Sequence, residues 1–117
     1  MIYIVEDNVS MRRAFEIFLE SDGLEYKSFE SAISFISEII PTHKDLIILD
    51  IDLPIMSGLE LLNKFSMEKK SIPVIVVTAL EDVDTQVNCM RYGVMAFLRK
   101  PVDGITLMEL IKNNSQS

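Results

Sequence analysis

The 117-residue sequence has one cysteine, one histidine, four glycines and four prolines. Each scarcity excludes something. A lone Cys89 rules out a disulfide framework and fits a reducing cytosol, where it reads as a small apolar residue on a helix. Nothing in the sequence places His43, in "PTHKD", as a ligand, and it reads as a solvated loop residue. No repeat or low-complexity tract appears. No apolar run approaches the roughly 20 residues that cross a bilayer. Met1 leads directly into "IYIV", without the basic region, apolar stretch and cleavage site of a secretory signal. Basic residues are scattered apart from the pairs Arg12-Arg13 and Lys69-Lys70, and net charge is −7, so no footprint for a phosphate backbone is present. The expectation is a soluble cytoplasmic domain whose present segment contacts neither nucleic acid nor membrane.

What is present is apolar and periodic. At 49% hydrophobic residues, a chain of this length buries about two-thirds of its unfolded surface, enough for a core without staples. Two patterns alternate along it. Short apolar runs predict strands at 2–6, 24–29, 45–50, 73–78 and 95–99. Between them, apolar residues three and four apart predict helices. Met11, Ala14, Phe15 and Phe18 line the first, with Asn8 as its cap. Ala32, Phe35, Ile36, Ile39 and Ile40 line the second, which Pro41 stops. Leu59, Leu62 and Phe65 line the third; Val83, Val87 and Met90 the fourth, which Gly93 ends; Leu107, Leu110 and Ile111 the fifth.

Five alternations of strand and helix imply right-handed crossovers and a parallel sheet covered on both faces. "IYIV", "LIIL" and "VIVV" are continuously apolar, as central strands are, whereas "LEYKSF" mixes in polar residues and belongs at an edge. The fold class is therefore α/β, a doubly wound (βα)5 sheet in the flavodoxin-like order 2-1-3-4-5. Residues 1–112 form this domain, and 113–117 read as a polar tail or the start of a linker to a further domain.

In such sheets ligands bind beyond the carboxyl ends of the strands. The first strand delivers Glu6 and Asp7 there, the third Asp50, the fourth Thr78 and the fifth Lys100, followed by Pro101. Three converging carboxylates repel unless a cation sits among them, and an all-oxygen set favours Mg²⁺, with Mn²⁺ able to substitute. A carboxylate beside such a metal, faced by an ammonium and a hydroxyl, is suited to accept a phosphoryl group.

The stretches "VEDN" (5–8), "ILDIDLPIMSGLELL" (48–62), "VIVVTA" (74–79) and "AFLRKPVD" (96–103) carry a resemblance to the CheY-like receiver domains of bacterial two-component response regulators, and "AFLRKPVD" resembles regulators of the FixJ or LuxR type. The resemblance implies Asp50 as phosphoacceptor, Glu6 and Asp7 as metal-binding acids, Asp52 as a metal ligand through its backbone carbonyl, and Thr78 and Lys100 as the hydroxyl and lysine of the site. It implies Phe97 as the aromatic member of a switch with Thr78. A sensor histidine kinase or phosphotransfer protein is the implied donor and transcription the implied output. A homodimer would form through the fourth helix, fifth strand and fifth helix, or through the first and fifth helices.

Glu6 stands where Asp is more frequent, lengthening one ligand. Met95 and Ala96 stand where relatives with winged-helix outputs carry acids, which removes their charged dimer contacts. Asp52 and Leu80, each two residues past a site residue, are expected to tune attack of water on an acyl phosphate. Ile55 and Met56 are apolar residues of the loop after Asp50, and Ile105 and Met108 suggest a partner face on the fifth helix. Such a domain is a signalling phosphoacceptor rather than an enzyme. The rivals are a receiver that dimerises without phosphorylation and an aspartyl phosphatase of another α/β family. Pro54 stands where the latter requires a Thr. A dinucleotide site fails because no Gly-x-Gly-x-x-Gly turn follows the first strand.

Overall fold

A computed structural model describes residues 1–79 and 82–115. Its elements are β1 (Ile2–Val5), α1 (Val9–Ser21), β2 (Tyr26–Phe29), α2 (Ala32–Glu38), β3 (Leu46–Asp50), α3 (Gly58–Met67), β4 (Val74–Thr78), α4 (Val83–Arg91), β5 (Ala96–Arg99) and α5 (Gly104–Ser115). The strands form one parallel sheet in the order β2-β1-β3-β4-β5. Fold class and strand order agree with the sequence reading.

The continuously apolar strands are explained by two cores. Val5, Leu49 and Val76 pack with Phe35 of α2, Leu61 and Phe65 of α3 and Cys89 of α4. Their sequence neighbours Ile4, Ile48, Ile75 and Val77 turn to the other face, against Phe15 and Leu19 of α1 and Leu107 and Ile111 of α5. Alternating side chains thus meet apolar partners on both sides, the condition that a parallel sheet imposes. Side chains start the helices: Asn8, Ser31 and Ser57 accept hydrogen bonds from the N–H groups of Met11, Ser34 and Glu60.

Beyond one-residue shifts at a boundary of β1, β3, β4 and β5, four boundaries or faces differ from expectation. Strand β2 begins at Tyr26, because Leu24 donates its N–H to Leu19 O (3.0 Å) and so belongs to the cap of α1. Helix α2 ends at Glu38; Ile39 is already extended and Ile40 is 81% exposed. Pro41 disfavours helical geometry in the residue before it, so the apolar pattern runs past the helix. In α4 the buried residues are Thr85 and Cys89, whereas Val83 (67% exposed), Val87 (43%) and Met90 (52%) face outward. Periodicity reveals a stripe, and both stripes have helical spacing; it does not say which one meets the sheet. Helix α5 continues through residues 113–115 to Ser115.

Candidate functional site

Register brings the acids together. Val5 lies opposite Leu49 in the β1–β3 ladder, so the next residues, Glu6 and Asp50, leave adjacent strands at one rim. Each continues the face of the residue two before it, Ile4 and Ile48, and Lys100 likewise follows Leu98 of that face. Lys100 is fixed in place by its own N–H, which donates to Thr78 O (2.9 Å) and extends the β4–β5 ladder by one step. Its Nζ reaches 2.7 Å from Glu6 Oε1 and 3.1 Å from Asp50 Oδ2.

The site is buried at its base and open above. Glu6 is 0% and Asp50 2% exposed, while Asp7 and Asp52 are exposed on the walls. A cleft of about 500 Å³ opens over them, lined also by Asn8, Ala79 and Lys100. Backbone donors serve both buried acids. Asn8 N–H donates to Glu6 Oε2 (3.2 Å) and Asp52 N–H to Asp50 Oδ1 (3.0 Å). Arg12 Nη1 donates to the carbonyl oxygen of Glu6 (2.9 Å) and steadies the turn that carries it.

Burial raises the pKa of Glu6 from its ordinary carboxylate value to about 7, and the neighbouring Asp50 carboxyl adds to the rise; Lys100 and the Asn8 N–H oppose it. For Lys100, burial acts to lower the pKa, but Glu6 and Asp50 outweigh it and hold the ammonium above the ordinary lysine value.

The residues present fit a hard divalent cation. Glu6, Asp7 and Asp50 can each offer one oxygen, all within 4.8 Å of one another. Glu6 Oε1 is buried and receives no well-directed hydrogen bond, since the ammonium beside it makes an ion pair off the hydrogen-bonding direction. An all-oxygen set with one wall open to water suits Mg²⁺, which keeps several waters.

The expected residues therefore separate into two groups. Glu6, Asp7, Asp50 and Lys100 meet in one cluster, with the Asp52 backbone N–H bonded into it. Thr78, fully buried, ends β4 at the same rim. Phe97 pairs with Val76 in the β4–β5 ladder and packs, half-buried, against the core of α2, α3 and α4. Leu80 lies outside the described residues. His43 is exposed between α2 and β3, as expected of a solvated loop residue.

Sequence reasoning missed the backbone donors, Arg12, and the role of Gly58. A Cβ on Gly58 would lie 2.7 Å from Asp50 O and 2.8 Å from Ile51 Cα. Glycine lets α3 begin directly against the strand end that carries the acid.

A family model described as the response regulator receiver domain matches residues 2–112. The chain belongs to the response regulator receiver family. It is 31% identical over 111 residues to the transcriptional regulatory protein FixJ of Azorhizobium caulinodans, covering 95% of this chain and 53% of that protein. It is 31% identical over 103 residues to the DNA-binding transcriptional regulator NtrC of Escherichia coli K12, covering 88% of this chain and 22% of NtrC. The crystal structure of FixJ-N superposes with a TM-score of 0.81 at 30% identity, covering 98% of this chain and 92% of that one. The chain spans about half the length of the first curated relatives it matches, 53%, 49% and 56%. Receiver domains are phosphoacceptor signalling domains that bind Mg²⁺ and interact with histidine kinases. Among the described residues no helix is long and apolar enough to cross a membrane.

Proposed function

We propose that this receiver accepts a phosphoryl group on Asp50 from the phosphohistidine of a sensor histidine kinase or phosphotransfer protein, and that the modified domain controls transcription through an output domain of the kind its relatives carry. The observation that carries the reading is the single ammonium of Lys100 paired with both Glu6 and Asp50 at the buried base of an acidic, cation-ready cleft.

An oxygen of the Asp50 carboxylate attacks phosphorus, the P–N bond breaks, and its electron pair leaves with the imidazole of the donor. No base is needed, because the nucleophile is a carboxylate. The remaining task is to neutralise charge on the transferring group. Lys100 turns from the carboxylates toward one phosphoryl oxygen, and the Thr78 hydroxyl with nearby backbone N–H groups serves another. Glu6, Asp7, Asp50 and the backbone carbonyl of Asp52 would hold Mg²⁺, which supplies positive charge at a third oxygen. Movement of Thr78 toward the phosphoryl group opens space for the Phe97 ring, and the ring carries no polar atom that would be stranded by turning inward.

Residues 1–112 form the receiver unit, with the last turn of helix α5 running on to Ser115. The domain acts in the cytoplasm. The outward apolar stripe of α4, Val83, Val87 and Met90, supports a homodimer through α4, β5 and α5 in preference to one through α1 and α5. Intact mass after incubation with acetyl phosphate and Mg²⁺ tests the central step. The native chain gains one phosphoryl group that is stable to acid and removed by hydroxylamine, and Asp50→Ala gains none. A native chain that stays unlabelled, or an Asp50→Ala chain that is labelled equally, overturns the assignment.

A further inference from the structure

We propose, resting on the reading of the cleft as a Mg²⁺ site, that Arg12 is a positioning residue for the acidic pair: by holding the carbonyl of Glu6 it fixes how Glu6 and Asp7 are presented to a divalent cation. Arg12 Nη1 donates to Glu6 O (2.9 Å), six residues back along the chain. The guanidinium is half-buried and pairs with no acid among the described residues, although Glu6, Asp7 and Asp50 gather at that rim. Its neighbour Arg13 is exposed and pairs with Glu16 and Glu20 at 3.0 Å each, as surface arginines do. Helix electrostatics do not call for Arg12 either. Its own N–H donates to Asn8 O (2.9 Å) in the first turn of α1, and positive charge at a helix N-terminus opposes the dipole. What the side chain serves is the carbonyl.

That carbonyl matters because of what it joins. Glu6, Asp7 and Asn8 are the whole link between β1 and α1. Both ends of the link are tied: Glu6 N–H donates to Phe29 O (3.0 Å), and Asn8 Oδ1 accepts from Met11 N–H (2.9 Å). Between them lies the planar peptide unit that carries the Cα atoms of both acids. Holding its oxygen sets the rotation of the plane, and with it the directions in which the two side chains leave. Asp7 depends on this most. Glu6 has the Asn8 N–H and Lys100 to orient its carboxylate. The exposed Asp7 carboxylate has no hydrogen bond or ion pair among the described residues, so the backbone alone brings its oxygen within 4.8 Å of those of Glu6 and Asp50. A guanidinium suits the task, since it is always charged and its planar fork loses little freedom on bonding.

Two effects of Arg12 on a bound cation have opposite signs. As a nearby positive charge it repels the metal, so its removal would tighten binding. As the hold on the acids it favours the metal, and groups that orient metal ligands typically govern affinity by about 10–100-fold. Solvent screens a half-exposed charge, so positioning prevails.

Calorimetric titration of Mg²⁺ into the native chain and variants, well below their melting temperatures, reads the sign. Arg12→Met should raise Kd about tenfold. Arg13→Met, which removes an equal charge one residue on, should leave Kd at or below the native value. Urea midpoints in EDTA accompany each titration, because a residue that only stabilised α1 would lower the midpoint and leave Kd unchanged. Arg12→Gln, a good helix former with a shorter side chain, carries the same test where the methionine variant does not fold. A Kd for the Arg12 variant at or below the native value overturns the proposal and leaves the metal site standing. An equal rise in Arg13→Met also overturns it, since the effect would then come from the helix and not from the carbonyl. A native chain that binds no Mg²⁺ overturns the reading of the cleft itself, and the role of Arg12 with it.

Discussion

Lys100 is the internal counter-ion of Glu6, its Nζ 2.7 Å from a carboxylate oxygen of a residue that has no solvent exposure. The same ammonium lies 3.1 Å from Asp50 Oδ2. A single cation therefore balances two buried acids from inside the protein. Removing it leaves the two buried carboxyls facing each other, with the Asn8 and Asp52 N–H groups as their remaining donors. Lys100→Met is expected to destabilise the metal-free domain by about 3–5 kcal/mol, the usual cost of leaving a buried charge without its partner. Urea denaturation in EDTA measures it, and saturating Mg²⁺ should recover much of the loss by supplying positive charge where the ammonium was. Equal midpoints for native and variant in EDTA would show that the pair contributes nothing to folding.

The raised pKa of Glu6 gives metal stabilisation a pH dependence. Its folded value, about 7, exceeds the ordinary 4.5, so in the metal-free state folding favours the protonated acid. That contribution is fully present below the ordinary value and is lost as pH rises through about 7. A divalent cation competes with the proton for the same oxygens, with Asp7, Asp50 and Lys100 as the other charged groups facing them. The increase in Tm on adding Mg²⁺ should be small at pH 5, grow through pH 6 and 7, and level off above that. Glu6→Gln should flatten the curve. An increment that does not change between pH 5 and 8 contradicts this account.

How much of this was readable beforehand depended on whether an apolar pattern ended in a chemical group. Glu6, Asp50, Thr78 and Lys100 each follow an apolar strand run, and in a parallel sheet those ends gather at one rim, so residue type and position were sufficient. The Glu6–Lys100 contact was not readable. It joins β1 to β5 across β3 and β4, and depends on how far a lysine side chain reaches over a twisted sheet. The facing of α4 failed for a different reason, since Thr85 and Cys89 are small and give a weak signal beside the stronger stripe of Val83, Val87 and Met90. Nor does "LPIMSG" announce a left-handed residue, because the position that adopts it holds neither glycine nor asparagine.

Gly58 sets two known effects against each other. Alanine is the better helix former, by about 1 kcal/mol over glycine in a helix interior. At this first residue of α3, however, the added methyl would lie 2.7 Å from Asp50 O and 2.8 Å from Ile51 Cα, both backbone atoms that cannot turn aside. Overpacking of this kind costs about 1–3 kcal/mol, and the smaller helical gain does not offset it. Gly58→Ala should lower stability by chemical denaturation and also slow labelling by acetyl phosphate, since relief of the clash moves the strand end that presents Asp50. A variant as stable as the native chain would show that α3 can shift away freely.

Ile55 should show the opposite sign. Its side chain contributes to neither core, and its backbone sits at φ +67°. The left-handed region costs an ordinary L-residue about 1–2 kcal/mol, and asparagine relieves part of this through its short polar side chain. With almost no apolar contact to lose, Ile55→Asn should stabilise the domain by about 1 kcal/mol. Glycine at the same position should stabilise it less, because its freedom in the unfolded chain offsets part of the relief. Urea midpoints of the native chain and the two variants give the order, with Asn the highest. A lower midpoint for Asn than for isoleucine would mean that the side chain is held by contacts within the domain that outweigh the backbone strain at φ +67°.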